Sequence, residues 1–132
     1  MIDARQLMIG NYLTVDGKYI RVKDIGDDGI NIFWYHEMTH YDVLFEDLEP
    51  IPLDNEILTK CGFEKKDRSN EYWDFWILDN GWYIGMAHHN EPSAGVEKNS
   101  YYWGENYVQI KSLHQLQNLY FALTGEELKI DL

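Results

Sequence analysis

At 132 residues, with 45% hydrophobic and 26% charged side chains, the chain is long enough for one cored domain and too apolar to stay disordered. A net charge of -12 repels phosphate backbones and disfavours direct nucleic-acid binding, and no apolar run approaches the roughly 18 residues that a membrane helix needs. One cysteine, Cys61, excludes an internal disulfide framework; with a start at Met1 to Gln6 that lacks a signal-peptide pattern, it sets the expectation of a cytoplasmic protein.

Leu7 to Val15 opens on a break at Gly10 and runs into a strand. Asp16-Gly17 is a hairpin signal, because both central positions of a type I′ turn need positive φ. Tyr19, Ile20, Val22 and Ile25 supply a second strand, Asp28-Gly29 repeats the turn signal, and Ile30 to Tyr35 and Tyr41 to Phe45 supply two more. These four strands predict an antiparallel meander able to curl into a small SH3-like barrel. Pro50 and Pro52 end it, since neither can donate to a ladder.

A short helix follows, with Asp54 as its N-cap, Gly62 at C′ and Phe63 placed to fold back on Leu58 as in a Schellman motif. At barely two turns, it has to be held by packing. Lys65 to Asn70 is a polar loop, and Tyr72 to Leu78 is apolar on nearly both faces, as for a central strand. Asn80-Gly81 turns the chain back through Trp82 to Ala87. His88 to Ser100 is a long polar loop, expected to be the most mobile segment. Tyr101 to Ile110 gives one or two further strands.

The last helix is the most clearly written. Ser112 and Gln115 have capping-box spacing, Leu113, Leu116, Leu119, Tyr120 and Leu123 share one face, and Gly125 is a left-handed stop. His114 falls in its first turn and is expected to face solvent. The whole predicts an α+β fold in one domain, 1–132, with sub-lobes 1–49 (the meander) and 50–132 (helix, sheet, helix). The final helix should pack on the second, aromatic sheet, with Leu116, Leu119, Tyr120 and Leu123 against residues such as Phe75, Ile77 and Ile84. With aromatics at 15% of the chain, the Trp and Tyr runs are expected to be sheet core rather than a sugar-stacking platform.

His36-Glu37-Met38-Thr39-His40 matches H-E-x-x-H, in which two histidines on one helical face hold zinc and the glutamate activates its water. Strand-like runs on either side leave only five residues for the helix that chemistry needs, and Glu56 is the nearest candidate for a third ligand. The segment is therefore expected to be a polar strand-to-strand connection, with no metal and no cofactor. His88-His89 should point to opposite faces, as loop residues, and Cys61 should be core.

Ile110 to Leu128, which spans the capped helix, is similar to the ending of an uncharacterised family of small proteins from Bacteroidetes and their phages or mobile elements. Leu7 to Leu13, and Leu48 to Leu53 leading through Ile57-Leu58 to Cys61-Gly62-Phe63, match it in the same order, so the resemblance covers roughly a third of the chain. It implies a meander, a short helix, an aromatic sheet and a final helix. It brings a mobile-element context but no activity and no functional residues.

Between Asp24 and Thr59 stand ten acids and no Lys or Arg. The expected function is thus a non-catalytic accessory protein that binds another protein, with the acidic 24–59 region as the docking surface for a basic partner. The alternatives are a small zinc hydrolase using His36, Glu37 and His40, and an acidic mimic of nucleic acid.

Overall fold

A computed structural model describes residues 2–34, 39–66 and 70–132. The fold is α+β, and the chain groups into two compact units: Met1–Pro52 with Ser112–Glu127, and Leu53–Lys111 with Leu128–Leu132.

In the first unit, β1 (Tyr12–Val15) and β2 (Lys18–Arg21) form the expected hairpin, with Asp16 at φ +50° and Gly17 at φ +76° between the paired Val15 and Lys18. Next, β3 (Asp24–Ile25), β4 (Gly29–Trp34) and β5 (Thr39–Leu44) form a separate three-stranded antiparallel sheet. The barrel does not close: among the described residues the meander is two sheets, of two and three strands. Gly29 is not the left-handed turn residue its sequence suggests. Its backbone lies so close to β5 that a Cβ would meet the Val43 carbonyl oxygen at 2.1 Å, so glycine is required by strand approach. Leu13, Ile20, Val22, Ile30, Ile32 and Leu48 form the core of this unit.

The last helix, α2 (Leu113–Thr124), belongs to this same unit and lies against β1, a contact its apolar pattern alone did not reveal. Leu116 and Tyr120 are buried as expected, Leu119 is half-buried, and Leu123 is 46% exposed. Gly125 ends the helix at φ +73°. The Ser112 half of the capping box does not form. The Ser112 side chain makes no cap hydrogen bond and instead shares one with His114 Nδ1 at 3.1 Å, while the Leu113 amide donates to the Ile51 carbonyl. His114 is buried rather than solvent-facing.

In the second unit, α1 (Asn55–Lys60) is capped as its sequence requires: Asp54 accepts from the Ile57 amide at 2.8 Å. At its other end Phe63 N donates to Leu58 O and Gly62 N to Thr59 O, with Gly62 at φ +89°, which is the Schellman pattern. Five antiparallel strands follow: β6 (Glu64–Lys65), β7 (Trp73–Ile77), β8 (Tyr83–Ala87), β9 (Tyr101–Trp103) and β10 (Val108–Ile110), in the spatial order β10-β9-β8-β7-β6. The turn between β7 and β8 is one residue longer than Asn80-Gly81 alone implies. Leu78 and Trp82 bond across it and Gly81 alone is left-handed, at φ +91°. The 88–100 segment is folded onto the sheet: it carries a short 3-10 turn at Pro92–Ala94 and buries Val96 against Ala87 and Tyr102.

Candidate functional site

Of the H-E-x-x-H residues, His36 and Glu37 lie outside the described residues, and His40 lies on β5, its backbone paired with Phe33. A strand is not the helical turn that lets this pattern hold zinc. Among the described residues no group of three or more His, Cys, Asp and Glu is placed to hold a metal ion.

The acidic stretch resolves into a concave site. Register places Asp24, Asn31 and Asp42 on one rung across β3, β4 and β5. Two carboxylates flanking one position would repel. Asn31 between them relieves part of this by donating Nδ2 to Asp42 Oδ1 at 3.1 Å. Asp28, in the turn after β3, adds a third carboxylate to the same cleft of about 390 Å³. Ile25 and Leu44 also line it, 36% and 47% exposed, and among the described residues none that lines it is a Lys or Arg. Asp54 and Glu56, at the far end of the acidic stretch, belong to the second unit. There Asp54 caps α1 and Glu56 lies 3.5 Å from Lys60, so both have local roles.

The second unit holds two constellations that sequence reasoning missed. The first is Asp74 of β7, buried, with His88 Nε2 at 2.9 Å from Oδ1 and Lys65 Nζ at 3.3 Å from Oδ2. Burial works to raise the Asp74 carboxyl, but the hydrogen bonds and charges of His88 and Lys65 outweigh it and hold the group below its ordinary range. A signal was available, because Asp74 is the one charged residue in the apolar run Tyr72 to Leu78. No nucleophile joins it among the residues described near it: Cys61 is buried, and burial pushes its thiol up to about 12. Asp74 is thus a buried carboxylate with two partners. His88 and His89 do diverge as expected, with His89 packing edge-on against Tyr72 and Trp73.

The second is an aromatic cleft of about 270 Å³ on the opposite face of the same sheet, walled by Trp73, Phe75, Tyr83 and Tyr107 and bordered by Glu105. Aromatic residues here are thus only partly core: Trp76, Tyr101 and Tyr102 are buried, while Tyr83 and Tyr107 are 55% and 37% exposed.

No family model, curated protein or solved structure matches the chain.

Proposed function

We propose that this chain is a non-catalytic accessory protein of a phage or mobile element, at work in the cytoplasm, that binds a basic partner protein. The docking surface is the cleft of Asp24, Asp28 and Asp42. The observation that carries this reading is that cleft's chemistry, in which three carboxylates and two exposed apolar side chains converge with no opposing cation among the described lining residues. Carboxylates give steering and partner choice, while Ile25 and Leu44 give area that leaves water on docking. Strand β3 is an edge strand, beside which an extended segment could lie, and alternating Lys and apolar side chains on that segment would meet both. The concavity favours an inserted peptide over mimicry of nucleic acid, which needs carboxylates along a convex ridge.

Affinity capture from the native host tests it, with the wild type compared against an Asp24→Asn/Asp28→Asn/Asp42→Asn variant at low and high salt. A basic protein held by the wild type, released by salt and not held by the variant is the expected result. A partner retained equally by both proteins would overturn the reading.

A further inference from the structure

We propose that the aromatic cleft of the second unit is a cage for a quaternary ammonium group, carried by a free organic cation or by a methylated lysine side chain. This site is independent of the acidic cleft, which lies in the other unit.

The rings are held in defined orientations. Trp73 and Tyr107 stack on one another, with ring centroids 5.6 Å apart and planes 6° from parallel, while Phe75 and Tyr83 meet edge to face at 6.0 Å and 80°. Two backbone features serve that arrangement. Tyr107 is a bulky residue at φ +52°, a conformation that Gly or Asn adopts far more readily, and it closes a turn by donating to the Gly104 carbonyl. Gly85, beneath Trp73, leaves no room for a side chain: a Cβ there would stand 2.9 Å from the indole Cε3. Unfavourable backbone geometry and a bare strand position together fix where two of the rings lie.

Charge selects the occupant. The faces of aromatic rings are electron-rich and attract cations, most strongly when water is displaced. Glu105 at the rim adds a negative charge, and among the described residues the lining contains no Lys, Arg or His. A sugar would need several convergent hydrogen-bonding groups beside its stacking faces. Here the Tyr102 hydroxyl is already engaged, accepting from the Glu97 amide at 2.8 Å and donating to the Gly95 carbonyl at 3.3 Å. At about 270 Å³ the cleft is smaller than pockets for drug-sized ligands, which begin at about 300 Å³, so it suits a single head group.

The test is an NMR titration of the full chain, following the Trp73 indole and the amides of 83–85 and 104–107. The probes are choline, trimethyllysine amide, 3,3-dimethylbutanol as the uncharged isostere of choline, and a glucose oligomer. Choline and trimethyllysine amide should both perturb the cleft, and the more effective of the two identifies the source of the ligand. The uncharged isostere should bind at least about tenfold more weakly, Tyr107→Ala should weaken binding about tenfold, and Glu105→Gln should weaken it several-fold. Tyr83→Ala, at an exposed position, serves as the second ring variant if Tyr107→Ala disturbs the turn. Equal binding of the isostere, preference for the glucose oligomer, or perturbations outside the cleft would overturn the proposal.

Discussion

Asn11 donates its side-chain Nδ2 to the Asn118 side-chain oxygen Oδ1 at 2.8 Å, across 107 positions of sequence. The same Asn11 accepts from the Met8 amide, and Asn118 donates to the Gln6 carbonyl. One residue earlier on the helix, Gln117 accepts from the Tyr12 amide at 2.8 Å and donates to the Gly10 carbonyl at 3.0 Å. Helix α2 is thereby joined to residues 6–12 by side-chain amides that satisfy backbone groups around the Gly10 break, beside the bonds that Arg21 and Val22 make there.

Removing that clasp should cost stability directly. Gln117→Leu keeps the shape but orphans the Tyr12 amide, while the Gly10 carbonyl keeps Arg21 Nε, and should destabilise the protein by about 1–3 kcal/mol in urea denaturation. A double-mutant cycle of Asn11→Ala and Asn118→Ala should show a coupling of about 0.5–1.5 kcal/mol. Strict additivity would mean that this contact contributes nothing.

His114 should make stability pH-dependent. Burial lowers its folded pKa from the ordinary value, so the unfolded chain binds the proton more readily. Its contribution is therefore complete above the unfolded pKa, about 6.5, and is lost as pH falls from there toward the depressed folded pKa. The urea midpoint of the wild type should fall between about pH 7.5 and pH 5.5, and His114→Gln should flatten part of that slope. Parallel slopes for the two proteins would contradict the burial of a neutral imidazole.

Cys61 should be inert to a thiol-specific disulfide reagent in the native protein at neutral pH and react fully in denaturant, because its thiol is buried and raised to about 12. Rapid native labelling would place it at the surface.

Protein purified without an affinity tag should carry no stoichiometric zinc by elemental analysis, since His40 stands on a strand. One zinc per chain, lost in His40→Ala, would revive the hydrolase alternative.

Local chemistry made much of the fold legible. Asp16-Gly17, Asp54 and the Gly62-Phe63 pair each act through neighbours a few residues away, and each forms the structure its sequence implies. The partner of α2 was not legible in the same way. Its leucines state only that they need cover, whereas its address is written in Gln117 and Asn118, whose partners lie more than 100 positions away. The Ser112 half of the capping box is lost for a similar reason: burial of His114 beside Ser112 offers the hydroxyl a competing partner that spacing alone does not show. The acidic stretch was visible as a charge run, but its division between two units and the rung of Asp24, Asn31 and Asp42 depend on strand register. The aromatic cleft was hidden because alternation along β7 sends Trp76 to one face and Trp73 with Phe75 to the other.

The central claim is that the cleft of Asp24, Asp28 and Asp42 binds an extended basic peptide. The most direct measurement is an NMR titration with a peptide alternating lysine and valine, at about 50 mM and about 300 mM salt. The account predicts amide shifts confined to 24–31 and 39–44, affinity that falls steeply with salt, and loss of binding in the Asp24→Asn/Asp28→Asn/Asp42→Asn variant. Shifts spread elsewhere, or binding indifferent to both salt and neutralisation, would contradict it.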